Sequence, residues 1–209
     1  MMRVTESPSN KQSSSEAQLL LREFSHRINN EFASAISMIA VAAGHLVNSE
    51  AKAALAAVED RLHNYARVHH ALQMPEHTSR IDAAAYLRQL CRAICSAKLN
   101  AKGIKLLLVE RPFKMDAERC WRLGLIVSEL ITNSARHAFR DNGGLIRVEL
   151  IPSTSIIECR VTDNGTCRPT VGPGNGTKII ASLAKSLGGT IDHHFGPQGA
   201  AVVVIFPAD

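Results

Sequence analysis

The chain has 209 residues, is 45% hydrophobic and 21% charged, and carries a formal net charge of +5. That composition fits a globular protein long enough for one large domain or two small ones; it excludes wholesale disorder, collagen-like repeats and a chain made only of coiled coil. No apolar run approaches the ~18 residues of a membrane span, and the polar start MMRVTESPSNKQSSSE has no apolar stretch of the secretory kind, so a cytoplasmic protein with no membrane contact is expected.

Residues 1–16, rich in Ser, Pro and Asn, read as a disordered tail. Over residues 16–47 the pattern becomes helical: Leu21, Phe24, Ile28, Phe32, Ala35, Ile39, Ala42 and Leu46 recur at threes and fours. Asn48-Ser49 interrupts it, and Leu55, Val58, Leu62, Tyr65, His69 and Leu72 continue the spacing over residues 50–73, up to Met74-Pro75. Two long amphipathic helices joined by a short turn bury only one stripe each. Doubling into a four-helix bundle, and hence a homodimer, is the expected remedy.

The texture changes after Arg80. A third helix is expected over residues 81–99, a short strand over 104–109, and a long helix over 116–139. Asp141-Asn142-Gly143-Gly144 reads as a turn, and residues 145–151 and 156–162 alternate as an antiparallel pair. A glycine-rich loop at 172–176 precedes a helix over 177–187 that Gly188-Gly189 stops; strands near 190–194 and 200–206 complete the series. The fold class is therefore α+β: a helical hairpin over residues 17–78, then an α/β sandwich over 79–209 with helices on one face of a mixed sheet.

The basic and acidic residues balance at eight each in residues 1–80, so the whole positive excess lies in 81–209, as suits a phosphate-bearing ligand or an acidic partner. Aromatics at 4% and the lack of a dense basic run argue against nucleic acid. Five cysteines without a CxxC pair fit reduced intracellular thiols, and the Cys91/Cys95 spacing is read as packing on one helix face.

Several residues stand out chemically. His26 falls almost opposite the apolar stripe of the first helix, with Asn30 within roughly 40° of it, so its ring is displayed to water. A neutral imidazole there can attack a phosphoryl group, or it can be an ordinary surface histidine. On the helix over 116–139, Arg122, Glu129, Asn133, Arg136 and Arg140 share one narrow line while the rest is mostly apolar. That pattern suggests the wall of a ligand site, with an amide oxygen for Mg²⁺ and arginines for phosphate, or else a simple amphipathic helix. Asp163-Asn164-Gly165 at a strand end offers a carboxylate to an exocyclic amine, or serves as a turn. The run Gly172-Pro173-Gly174-Asn175-Gly176 before a helix suits phosphate, although Lys178 is not placed as in a P-loop.

Taken in order, these features resemble the histidine kinases of two-component signalling. The run LLREFSHRINN over residues 20–30 is similar to their His-Arg-x-x-Asn phosphoacceptor box, and SELITNSARHAF over 128–139 to their asparagine box. Asp163-Asn164-Gly165 and Gly174-x-Gly176 sit where the two glycine boxes belong, and LGGTI over 187–191 looks like the family's helix exit. The resemblance implies His26 as phosphoacceptor, Asn133 as Mg²⁺ ligand and Asp163 as the adenine acceptor. It also implies Gly165, Gly174 and Gly176 around the nucleotide, with Arg136 and His137 near its phosphates; Glu129 matches a water-polarising residue of related ATPases. ATP would be the phosphoryl donor, and a response-regulator receiver domain the acceptor.

Three positions depart from the pattern. Ser128 stands where the HWE-type subgroup has His, and that subgroup's Trp-x-Glu strand is absent, which points to its sister group. Cys167 replaces a glycine, and Gly199-Ala200 replaces the usual Gly-Thr. Two other readings stay open: a histidine phosphotransfer protein with a decayed ATP site, and an ATP-binding switch protein that sequesters a partner. The length leaves no room for a sensor, so input from a separate sensor protein is expected.

Overall fold

A computed structural model describes residues 8–74, 80–139, 143–166 and 175–208. The chain divides into two compact units, Met1–Gln73 and Met74–Asp209.

The first unit is a helical hairpin of α1 (Pro8–His45) and α2 (Ser49–Ala71). Residues 8–16, expected in the tail, are helical. Pro8 opens α1, where a proline's missing N–H removes no helical bond. Asn48 starts α2: its side-chain oxygen accepts the N–H groups of Glu50 and Ala51 at 2.8 and 3.1 Å. Ile28, Phe32, Ala35 and Ile39 of α1 are half-buried, as are Leu55, Leu62 and Tyr65 of α2. His69 crosses the seam, with Nδ1 2.9 Å from Asn29 Oδ1 and its ring 6.1 Å from that of Phe32. Phe24 and Val58, expected in the stripes, are instead 63% and 47% exposed.

The second unit begins with a feature that periodicity did not announce. Residues 81–99 are not one helix: β1 (Arg80–Asp82) comes first, then α3 (Ala83–Ile94), a π-helical turn Cys95–Leu99 and a 3₁₀ turn Asn100–Lys102. β2 (Ile104–Glu110) follows, and then β3 (Lys114–Asp116), which pairs antiparallel with β1. Both short strands end on a helix cap. Asp82 accepts from Ala84 and Ala85 N–H to start α3, and Asp116 accepts from Glu118 and Arg119 N–H to start α4 (Ala117–His137).

The remaining elements are β4 (Gly144–Pro152), β5 (Ile156–Asp163), α5 (Asn175–Ser186), β6 (Thr190–Gly196) and β7 (Gly199–Pro207). The five-stranded sheet runs β2-β4-β5-β7-β6, parallel between β2 and β4 and antiparallel elsewhere. One face buries Ile146, Val148, Leu150, Ile157, Cys159, Val161, Val202, Val204 and Phe206 beneath α3, α4 and α5. The other carries Arg147, Glu149, Glu158 and Arg160, with Arg147–Glu149 and Arg160–Glu158 ion pairs at 2.9 and 2.7 Å. This is the expected mixed sheet with helices on one face. Burial pushes the thiols of Cys91, Cys120 and Cys159 up to about 12, so they remain protonated packing groups.

Candidate functional site

α4 lies between α3 and α5, and its buried Leu123, Ile126, Val127, Leu130 and Ile131 fix its rotation about its own axis. That rotation turns Glu129, Asn133, Ser134, Arg136 and His137 toward a cavity of about 490 Å³. The end of β5, the start of α5, and β6 with β7 supply the remaining walls. Such a volume is in the range of small-molecule sites.

Asp163, the last residue of β5, is 8% exposed and lies against this cavity. Three donors hold its carboxylate: Ser134 Oγ–H to Oδ2 at 2.7 Å, Gly165 N–H to Oδ1 at 3.1 Å, and Ala200 N–H to Oδ1 at 3.3 Å. Asn164 bonds away from the cavity, exchanging contacts with Leu145 at 2.8 and 3.2 Å, which anchors the turn. Gly165 passes so close to the Ala138 carbonyl that a Cβ there would overlap it, and Thr166 N–H donates to that carbonyl at 3.1 Å. Only glycine brings the end of β5 onto the end of α4 in this way.

α5 starts at Asn175, so Gly176 lies in its first turn rather than in the loop before it. Asn175, Gly176 and Thr177 line the cavity, and a Cβ on Gly176 would strike the Glu129 carboxylate. The first turn of α5, the positive end of its dipole, thus borders the cavity with Glu129 beside it. Asn133, one turn further along α4, is half-buried; Arg136 and His137 are exposed at the rim.

The sequence-derived line on α4 is only partly realised. Arg122 does not reach the cavity; it pairs with Glu118 one turn earlier on the helix. Arg140, Cys167 and Gly174 lie outside the described residues. Among the wall residues that were not anticipated are Ser134, His193 and Phe195. The last two stack on β6, with centroids 6.0 Å apart and planes at 16°. Burial lowers the pKa of His193, Asp192 opposes that shift and His194 adds to it, so the ring favours its neutral form. Alternate positions on an edge strand, read from sequence, are indistinguishable from solvent-facing ones.

In the hairpin unit, His26 is exposed on α1, as its angular position required. Its neighbour Arg27 is engaged by Glu23 at 2.9 Å, and Asn30 shares the exposed face. Among the described residues no group of three or more His, Cys, Asp or Glu side chains could hold a metal ion.

Comparison with known proteins identifies this arrangement. Residues 82–205 match the family model described as histidine kinase-like ATPase domain, and residues 23–98 match the model described as histidine kinase. The chain belongs to the histidine kinase-like ATPase family. Over 198 residues it is 26% identical to the sensor histidine kinase PdtaS of Mycolicibacterium smegmatis, covering 88% of this chain and 38% of that protein. Over 197 residues it is 27% identical to blue-light-activated histidine kinase 2 of Erythrobacter litoralis, covering 90% of this chain and 56% of that one. It therefore spans less than two thirds of either relative. Its fold matches the histidine kinase domain of the Erythrobacter litoralis EL346 blue-light-activated kinase, with a TM-score of 0.60, 23% identity and 94% of each chain covered. Two helices followed by a mixed α/β sheet domain are thus the family's architecture, and no helix among the described residues is long and apolar enough to cross a membrane.

Proposed function

We propose that this chain is the catalytic core of a protein-histidine kinase: ATP binds in the cavity of the second unit, its γ-phosphoryl passes to His26, and a response-regulator aspartate receives it. The observation that carries the reading is Asp163, an acceptor held by three hydrogen bonds against a cavity that Asn133 also lines. A carboxylate fixed in that way accepts the exocyclic amine of adenine. Val161, Ile180 and Val202 around it offer apolar surface to the ring.

The donor set fits Mg²⁺ as well. Glu129 beside the first turn of α5 would repel a polyphosphate there, a repulsion that Mg²⁺ would offset, and the Asn133 amide, one turn along α4, would supply it a hard oxygen. When bound, Mg²⁺ would neutralise charge on the transferring phosphoryl group. Arg136 and His137 at the rim, with the first-turn N–H groups of α5 and the Gly174–Gly176 segment, hold the phosphates. His26 attacks through a neutral ring nitrogen, and the exposed polar face around it leaves room for both ATP and a receiver domain in turn.

The homodimer belongs to the same reading. On α1, Leu20, Phe24, Met38 and Val41 form a second apolar stripe within a sector roughly 100° wide, apart from the stripe that meets α2. A second copy covering that stripe makes a four-helix bundle, and His26 lies more than roughly 100° from the centre of either stripe. The unpaired thiols of Cys91, Cys95, Cys120 and Cys159 support a cytoplasmic setting.

Incubation with γ-labelled ATP tests the assignment. Wild type should retain label, and His26→Ala should lose it while still binding ATP by calorimetry. Asn133→Ala should lose both. Equal labelling of wild type and His26→Ala would overturn the phosphoacceptor. A wild type that accepts phosphoryl only from another phosphoprotein, and binds no ATP, would make this a relay protein instead.

A further inference from the structure

The sheet face turned away from α3, α4 and α5 is patterned as well as exposed. The strand registers set its side chains in rows that cross all five strands. One row reads Leu107, Arg147, Thr162, Ala201 and His194; the next reads Val109, Glu149, Arg160, Val203 and Asp192. On β4, Leu145 lies outside the first row and Ile151 outside the second. Leu107, Val109, Leu145 and Ile151 are 39–45% exposed. A half-turn about an axis that runs between the two rows, across the strands, lays each row on the other. Leu107 then meets Val109, Arg147 meets Glu149, Ala201 meets Val203 and His194 meets Asp192. Leu145 meets Ile151 in the same operation. Arg160, whose Nε has no hydrogen bond among the described residues, meets the Thr162 hydroxyl.

We propose that this face is a second self-association surface, pairing two copies of the chain sheet to sheet about that axis. The contact is isologous and closes on itself. Its charges select the orientation. Arg147 pairs with Glu149 at 2.9 Å on its own strand, yet its side chain is 44% exposed and keeps donors to spare. In the paired form Arg147 of each copy lies over Glu149 of the other, so four alternating charges close a ring. Such a network contributes more than isolated surface pairs and works against other alignments. An axis along β5 would instead set Arg147 over Ala201 and Glu149 over Val203, desolvating both charges without a partner. Five strands about 4.8 Å apart and four rows about 6.7 Å apart give roughly 600 Å² per copy. The total of roughly 1,200 Å² is at the low end for specific interfaces, which marks a reversible contact. Stacked twisted sheets cross at about 30°, so the central strands meet most closely. The inference depends neither on the nucleotide reading nor on the hairpin dimer.

Sedimentation velocity of the full chain carrying Phe24→Glu and Met38→Glu separates this contact from the hairpin dimer. At high protein concentration and low salt that parent should still dimerise, and added salt should dissociate it. Arg147→Glu in the parent sets like charges face to face and should weaken dimerisation by about tenfold or more. Glu149→Arg should do the same. An equimolar mixture of the two variants should associate again, within about threefold of the parent, because an acidic pair then faces a basic one. A fold damaged by either substitution would not be repaired by mixing. The proposal is overturned by a parent that stays monomeric, by a dimer indifferent to both charge changes, or by weakened variants that do not recover when mixed.

Discussion

Among the described residues of the hairpin only Val68 and Ala71 are buried, whereas the second unit hides Leu87, Leu123, Ile131, Val148, Cys159 and Phe206 almost completely. The sheet domain closes its core with its own helices. The hairpin leaves Phe24, Met38 and Val41 at least 60% exposed, so its stability depends on what covers them. One unit is self-contained and holds the proposed nucleotide cavity. The other leaves apolar side chains exposed, and on the proposed reading it is half of a dimeric bundle that displays His26.

If this division is right, damage to the core of one unit should not travel to the other. Leu123→Ala removes a fully buried side chain of α4 and should cost about 2–5 kcal/mol of the sheet domain's stability. The fluorescence of Trp121, the chain's single tryptophan, should follow that loss, while the hairpin's helical signal in circular dichroism persists. Simultaneous loss of both signals would mean that the units fold as one. A smaller effect is expected from Phe24→Glu combined with Met38→Glu. Charge on the proposed dimer surface should weaken self-association by about thirtyfold or more, read by light scattering, with ATP affinity unchanged.

The smallest effect concerns pH. Burial, and then the neighbouring His70, lower the pKa of His69 below its ordinary value of 6.5. The unfolded chain then binds the proton more readily than the hairpin does. The His69 contribution is favourable above the ordinary histidine range, and it is lost as pH falls from about 6.5 toward the lower folded value. Thermal unfolding of the hairpin signal at pH 7.5 and 5.5 should show a drop in wild type that is reduced in His69→Gln. An equal drop in both proteins would assign the sensitivity to other groups.

Periodicity made the hairpin legible, because an apolar stripe that recurs at threes and fours over dozens of residues stays on one side of the chain only if the chain is helical. The same signal revealed α4 and its polar line, since the rest of that helix is apolar enough to make the line visible. It failed where elements are short or governed by distant partners. The strands Arg80–Asp82 and Lys114–Asp116 have three residues each, too few to show alternation, and they exist because they pair with one another. Arg122 shared the angular position of Asn133 but sits about three turns earlier, beyond the cavity and within reach of Glu118. Ser134 was hidden for the opposite reason: its role comes from a residue 29 positions away, which no local pattern reports.

The little ribbon of β1 and β3 reaches further than its size implies. β3 runs straight into α4 through the Asp116 cap, so the register of that pairing also sets the angular origin of the helix. Met115, fully enclosed and paired with Ile81, pins the register: a slip of one residue would turn it to the opposite face. The same slip would advance α4 by about 100°, carrying Asn133 and Glu129 away from the chamber. Seventeen residues at about 1.5 Å each separate Asp116 from Asn133, so the bearing of the site is set about 25 Å upstream. Met115 works like the index mark on a dial whose pointer is Asn133.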